Sequence, residues 1–208
     1  YGEGTDWYSS LLRSAPIQNY SFNISTGSNK VLSSNTLTYF NQDGVLFNSG
    51  MKRMSFRSNN EYRPNESIKI GFNVAPTYQK DDNTGGPFDG NRAVLGIAAL
   101  ASPLIPVKNP DGTYPRPISY GMYDMPNPYQ QLEIMDVSLN TLRVLGNAYV
   151  DFKIIDGFNF KTSMSTDFGS SENNYFRPST YGVFGKSVGN AATSISISNN
   201  YTSWVSEN

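Results

Sequence analysis

The sequence contains no cysteine and no histidine among its 208 residues. The first absence excludes disulfides and thiolate metal sites. The second removes the commonest general base and the commonest zinc ligand. Charged residues make up only 16%, and a net charge of -1 provides no field that would attract nucleic acid. Long apolar runs are missing too. The longest, around 93–104, is broken by Gly96, Ser102 and Pro103. That excludes a membrane-spanning helix, which needs roughly 20 apolar residues. It does not exclude a membrane β-barrel, whose strands are short and apolar only at every second residue. The chain begins at Tyr1 rather than Met and shows no signal peptide, so part of a longer protein is expected.

The positive signal is alternation with a period of two. In 17–26, Tyr20, Phe22 and Ile24 oppose Asn19, Ser21, Asn23 and Ser25. In 51–62, Met54 and Phe56 oppose Arg53, Ser55, Arg57 and Asn59. In 67–79, Ile68, Ile70, Phe72, Val74 and Tyr78 oppose Lys69, Asn73, Thr77 and Gln79. In 158–168, Phe158, Phe160, Met164 and Phe168 oppose Asn159, Lys161, Ser163, Ser165 and Asp167. Weaker alternation occupies 31–40, 142–155 and 193–205, giving seven expected strands. The polar face is mostly Asn, Ser and Thr, where a soluble sheet usually carries many Lys and Glu. That composition suits the wet interior of a barrel. The apolar face suits either lipid or a protein core, and alternation alone does not separate the two.

The connections alternate in length. Those at 27–30, 63–66 and Asp156-Gly157 are short, the last a hairpin signal of the primed type. Those at 42–50, 81–138 and 170–192 are longer. Short turns at one end and long loops at the other are the pattern of an outer-membrane barrel, with the short turns periplasmic. A connection of this length counts against a compact soluble domain. Within it, 91–101 has helical character with Asn91 as a cap, and seven prolines follow between Pro103 and Pro128. Its tyrosines make it an ordered cap rather than a linker. Seven strands leave open edges, which lipid does not tolerate, so further barrel strands are expected outside this chain.

Several stretches resemble the SusC-like branch of the TonB-dependent transporters of Bacteroidetes. Gly4-Thr5-Asp6-Trp7-Tyr8, followed by Arg13-Ser14-Ala15-Pro16-Ile17-Gln18-Asn19-Tyr20, is similar to that family's approach to an early barrel strand. Tyr39-Phe40-Asn41-Gln42-Asp43-Gly44 resembles its Tyr-Phe-Asp-Gln-Glu-Gly turn, and Lys52-Arg53 opens the next strand. Ala101-Ser102-Pro103, Gly146-Asn147-Ala148-Tyr149 and Tyr175-Phe176-Arg177-Pro178 add matches in the same order. The resemblance implies a 22-stranded barrel in outer-membrane lipid, an N-terminal plug that this chain does not include, and a SusD-like lipoprotein lid. It implies energy from TonB, acting through a segment outside this chain. Residues 1–208 would then be early barrel wall, all-β and antiparallel, with long extracellular loops, one holding a short helix. The implied function is active import of a nutrient, an oligosaccharide or a peptide, with the oligosaccharide favoured.

Candidate chemistry is sparse. Asp81, Asp82, Asp89, Asp124, Glu133 and Asp136 surround the long loop, but their spacing sets no catalytic pair. A serine nucleophile would lack its histidine. Asp81-Asp82-Asn83 with Asp89 lacks the order of a calcium loop, and Gly85-Gly86 lacks the Lys-Ser/Thr of a phosphate loop. Neither enzyme activity nor a metal or cofactor is expected. The loop aromatics Trp7, Tyr8, Tyr114, Tyr120, Tyr123 and Tyr129 are the candidate substrate-binding residues, since sugar rings stack their C–H faces on such rings. The competing expectation is that they pack the loop upon itself or form an interfacial girdle. Arg53, Arg57, Lys69, Arg143, Asp151, Lys153, Lys161 and Asp167 are expected on the lumen face, bracing a plug or lining a wet interior. The alternatives are a surface glycan-binding β-sandwich without transport, in which Phe22, Phe56, Phe72 and Phe160 would fill a closed core, and a hydrolase.

Overall fold

The computed structural model describes residues 3–82, 91–122, 125–181 and 191–208. Seven strands form one antiparallel sheet in sequence order: β1 (Ile17–Gly27), β2 (Val31–Asp43), β3 (Gly50–Asn65), β4 (Ile68–Asp82), β5 (Asp136–Ile155), β6 (Phe158–Arg177) and β7 (Thr193–Glu207). Each pairs only with its neighbours in sequence, so β1 and β7 are the edges among the described residues. The expected strands are all present. β5 begins at 136 rather than 142 and β6 ends at 177 rather than 168, so both run well past the expected bounds toward the long-loop end. Alternation weakens there because the environment of the two faces changes.

The direct cross-strand pairs show where. Tyr20, Tyr39, Met54, Tyr78 and Leu142 form one continuous row on the apolar face. The row above it, nearer the long loops, is Gln18, Asn41, Lys52, Lys80, Asn140, Glu172 and Ser198. The apolar belt therefore ends in a tyrosine-rich girdle with a polar row beyond. Its other end lies near the row Ile68, Phe152 and Phe160. The ten residue steps from Ile68 to Tyr78, at ~3.3 Å each and the usual barrel tilt, rise about 25 Å, the height of an outer-membrane apolar band. Above the girdle the faces invert. Val137, Tyr175 and Ile195, paired across β5–β7 on the polar side of the sheet, pack with Met135 and Tyr181. The corresponding residues on the opposite side are Ser138, Asn174 and Ser196.

A sandwich is excluded. Phe22 and Phe72 are 64% and 50% exposed, Phe56 and Phe160 are exposed as well, and the described residues contain a single sheet. The hairpin at Asp156-Gly157 forms, but its turn is not of the primed type. Only Gly157 has positive φ there, and the register shifts between Lys153 and Ile155. That matches a turn closed by a left-handed glycine with a bulge.

The long connection between β4 and β5 holds two helices rather than one, α2 (Asn91–Leu100) and α3 (Pro128–Ile134), with a 3-10 turn at Pro117–Tyr120 between them. A further short helix, α1 (Trp7–Leu11), precedes β1. Asp6 caps α1 by accepting from the Ser9 amide at 3.0 Å. Asn127 caps α3, accepting from the Tyr129 and Gln130 amides, and Pro128 at the first helical position lacks the N–H that would go unpaired there. In α2, Val94, Ile97 and Ala98 recur at helical spacing and are buried. With Trp7, Leu11, Leu46, Ile105 and Leu132, Val94 and Ala98 build a core outside the sheet. The segment before β1, the β2–β3 connection and the β4–β5 connection thus make one cap.

Candidate functional site: polar face and cap

On the polar face, Arg53, Arg57, Lys69, Arg143, Asp151, Lys161 and Asp167 fall on one side of β3–β6, as direct pairs such as Arg143 with Thr77 and Asp151 with Lys69 and Lys161 require. Two tyrosines organise them. The Tyr149 hydroxyl donates to Glu61 at 2.7 Å, and the Arg63 guanidinium reaches the same carboxylate at 2.6 Å. The Lys161 ammonium lies 4.7 Å from the Tyr149 ring centre. The ring crosses Gly71, where a Cβ would sit 2.0 Å from Tyr149 Cε1. The arrangement repeats one hairpin on. Tyr201 crosses Gly169, its hydroxyl donates to Asp167 at 3.3 Å, and Arg143 grips Asp167 through two hydrogen bonds of 3.0 and 2.7 Å. In both cases the glycine leaves room for a ring that carries a hydroxyl to a carboxylate, and a Cβ there would force the ring to shift. Arg53 stacks over Phe40 at 5.3 Å. Between these groups lies a shallow hollow lined by Arg57, Asn73, Asn147, Asp167 and Ser203. Ala75, Leu145 and Val205 also line it, so most of its exposed surface is apolar, and Asp167 is already paired with Arg143.

Sequence reasoning missed both tyrosine–glycine crossings. The signal was a glycine at a polar-face position of a strand, opposite a tyrosine. It also missed a polar quartet on the apolar face. Asn60 donates to Ser58, Ser58 to Asn35, Asn35 to Ser33 and Ser33 back to Asn60, at 2.6–2.9 Å. Ser58 is only 6% exposed. The ring gives each of the four side chains protein partners without water, which suits polar groups facing lipid.

The candidate aromatics separate in the cap. Trp7 is 5% exposed and donates its indole N–H to the Ser102 carbonyl at 3.1 Å. It is a core residue, and its faces are covered by the cap rather than open to a sugar. Tyr129 packs on Phe47 with ring centres 4.6 Å apart. Tyr114 donates to Glu133, and Lys108 reaches Glu133 at 2.8 Å while lying 5.1 Å from the Tyr114 ring and 5.4 Å from the Tyr129 ring. Burial pushes the Glu133 carboxyl up, but the hydrogen bonds from Lys108 and Tyr114 prevail and hold it below its ordinary value. Burial and then the Glu133 hydrogen bond raise the Tyr114 hydroxyl, and the same carboxylate raises Lys108. Tyr8 and Tyr120 remain exposed. Tyr123 lies outside the described residues, as do Asp89, Asp124, Asn83 and Gly85-Gly86.

Side-chain hydrogen bonds join the parts of the cap to one another and to the connection after β6. Asn48 donates to the Leu132 carbonyl at 3.2 Å, Gln130 to the Thr180 carbonyl at 3.2 Å, and the Tyr181 hydroxyl to Gln131 at 3.1 Å. Among the described residues no three acidic side chains converge to hold a metal. Asp81 and Asp82, adjacent on β4, point to opposite faces.

No protein-family model matches the chain. It is 32% identical over 179 residues to TonB-dependent receptor P26 of Formosa agariphila, covering 84% of this chain and 17% of that protein. It is 30% identical over 197 residues to TonB-dependent receptor P3 of the same organism, covering 91% of this chain and 19% of that one. Among solved structures it is similar to the RagAB peptide importer. In the closed-closed state the TM-score is 0.62 at 20% identity, over 84% of this chain and 20% of the other; in the open-open state it is 0.63 at 18%, over 90% and 21%. The chain thus spans about a fifth of the length of the proteins it matches. Sequence relatives, sheet topology and lipid-facing belt agree: the chain belongs to the TonB-dependent receptors of the outer membrane, as a stretch of their barrel fold.

Proposed function

We propose that this wall segment serves TonB-dependent import of an oligosaccharide across the outer membrane, with a SusD-like lipoprotein closing the outer mouth. The polar face carries this proposal. Arg53, Arg57, Lys69, Arg143, Asp151, Lys161 and Asp167 line the interior, set among Asn, Ser and Thr. Neutral amides and hydroxyls exchange hydrogen bonds with a polyhydroxylated cargo without trapping it. Asp167 is occupied by Arg143 and Tyr201, and Glu61 by Arg63 and Tyr149. In the cap, Tyr8 and Tyr120 are the rings placed to stack on sugar.

The experiment is growth and uptake by a strain lacking the full-length gene, offered candidate glycans one at a time. Loss on one glycan, restored by the wild-type gene, supports the proposal. Normal growth on every candidate glycan and peptide overturns it. A peptide cargo is the second reading, favoured because the similar solved structures are described as a peptide importer. A growth defect confined to peptides would decide for it.

A further inference from the structure

Most cations of the polar face stand against an acid. Arg143 is held by Asp167 and Arg63 by Glu61, while Lys69 and Lys161 both lie opposite Asp151 on the ladder. Arg53 and Arg57 differ: among the described residues no carboxylate lies within ion-pair distance of either. Both are exposed on β3, four residues apart and therefore on the same side of the strand. The hollow they share is lined by Thr36, Thr38, Ser55 and Thr77, with Phe56 and Ala75, and by no acid. Asn23 donates to the Thr36 hydroxyl at 2.7 Å, so that hydroxyl keeps its own hydrogen to give elsewhere. The Arg53 guanidinium lies 5.3 Å from the Phe40 ring centre, a stacking that leaves its N–H edge open. The surrounding acids are committed to other groups. Asp81, one row nearer the long loops, accepts from Gln79 at both oxygens. Asp167 stands three strands from Arg57 in the grip of Arg143, and Glu61 lies four residues nearer the short turns, held by Arg63 and Tyr149. Arg53 is next to Met54 of the girdle row, so the hollow begins at the end of the wall that carries the long loops and runs inward to Arg57.

We infer that Arg53 and Arg57 form a subsite for anionic groups of the cargo, so that the imported oligosaccharide is acidic and carries carboxylates or sulfates. A guanidinium presents paired N–H donors that match the oxygens of either anion. Four residue steps along a strand, at ~3.3 Å each, set the two arginines about 13 Å apart. That is wider than one sugar ring, so the hollow suits an extended chain with charges at intervals rather than a lone ion. The threonine and serine hydroxyls between the arginines serve the hydroxyls of the same chain. Ion pairs exposed to water are weak, which lets the cargo move on. The inference rests on the import reading above and adds the charge of the cargo to it.

The test uses the full-length transporter, purified in mild detergent. It is titrated with oligogalacturonate and with sulfated galactan oligosaccharides, each beside the same backbone after carboxyl reduction or desulfation. The wild type should prefer the charged member of at least one pair, and which pair identifies the anion. R53Q/R57Q should lose about two- to fivefold of that preference for each arginine removed, as for other exposed ion pairs. R53K/R57K should keep most of it, and K30Q, at the turn of the opposite end, should leave it unchanged. Heat-modifiable gel mobility shows that each variant is folded. Equal affinity within both pairs in the wild type, or an undiminished preference in folded R53Q/R57Q, would overturn the inference. A lower unfolding temperature of R53Q/R57Q without cargo, with the preference intact, would assign the arginines to a plug carboxylate instead. Gene-dependent growth on a neutral glycan, untouched by R53Q/R57Q, would overturn this inference alone, whereas a defect confined to peptides would overturn the import reading beneath it.

Discussion

Replacing Trp7 tests whether the cap is a packed unit. Its side chain is 5% exposed among Leu11, Val94, Ala98 and Ile105, and its indole N–H is bonded to the Ser102 carbonyl. Trp7→Ala removes the ring and leaves a cavity, a loss of about 3–5 kcal/mol. At about 1.4 kcal/mol per decade, the population of opened cap should rise roughly 100- to 4,000-fold. Trp7→Phe keeps most of the ring and loses chiefly the hydrogen bond, about 1 kcal/mol, for a rise of roughly five- to tenfold. The assay is limited proteolysis of the full-length protein in outer-membrane vesicles, in the regime where cleavage follows the open population. Cleavage should map to the α2–α3 connection, and the barrel should keep its heat-modifiable mobility, because the strand ladders do not depend on Trp7. If Trp7→Ala is cleaved no faster than wild type, or Trp7→Phe is as labile as Trp7→Ala, the cap core is wrongly assigned.

Gly71→Ala should destabilise the barrel by about 1–3 kcal/mol through overpacking, read as a lowered unfolding temperature, and most of that loss should vanish in Gly71→Ala/Tyr149→Ala. Ser58→Ala should cost about 1–3 kcal/mol by leaving Asn35 without its donor on a face that offers no water, and an Asn35→Leu/Ser58→Ala pair should recover part of it in the same measurement. The Glu133 carboxyl is held below its ordinary value of 4.5, so its contribution is complete above that pH and disappears as pH falls through the lowered value. Hydrogen exchange around Lys108 and Tyr114 should therefore accelerate under acid beyond its intrinsic rate, and Glu133→Gln should reduce that dependence, the remainder coming from Asp111, whose carboxyl the Thr113 hydrogen bonds also hold low. Tyr8→Ala/Tyr120→Ala should weaken uptake of the glycan without increasing cap proteolysis, whereas Tyr129→Ala should increase proteolysis. Uptake unchanged in the first variant would remove these rings from the substrate path.

The wall was legible in sequence because a strand in lipid has one solvent on each face. Tyr20, Phe22 and Ile24 against Asn19, Ser21 and Asn23 leave one orientation open, and the pairing of β1 with β2 follows it. Legibility failed where that condition lapsed. At Val137 and Tyr175 the inner side is protein core and the outer side is water, so the expected order of polarity reverses and the strand ends were placed short. The cap was illegible for a different reason. Trp7, Leu46 and Leu132 meet from three separate connections, and local periodicity carries no information about which connections pack together. Tyr114 and Trp7 look equivalent as loop aromatics. Only the positions of Lys108, Glu133 and Ser102 distinguish a clamp from a core residue.

The inversion of faces along β5–β7 also says which substitutions each level tolerates. Below the girdle, Ser165 and Asn147 face each other on the wet side and share a hydrogen bond of 2.9 Å. Exchanging either for Thr keeps a polar group in water and should change stability little. Above it, on the same side of the same strands, Val137, Tyr175 and Ile195 are covered by Met135 and Tyr181. Val137→Asn there buries an amide beside apolar neighbours, a loss of about 1–3 kcal/mol on protein scales. The wall and the cap are thus continuous in backbone but obey opposite burial rules on one face of one sheet. The barrel ladder extends past the membrane to serve as the floor of the cap, where Val137, Tyr175 and Ile195 pack with Met135 and Tyr181, and the bonds from Gln130 to Thr180 and from Tyr181 to Gln131 join α3 to the connection that follows β6. A cap seated on this floor moves only if those contacts break. Substitution of Gln131 by Leu should therefore loosen the cap at α3 while leaving the ladder of β5 and β6 protected from hydrogen exchange. Simultaneous loss of protection in β5 and the cap would show that the two levels unfold as one.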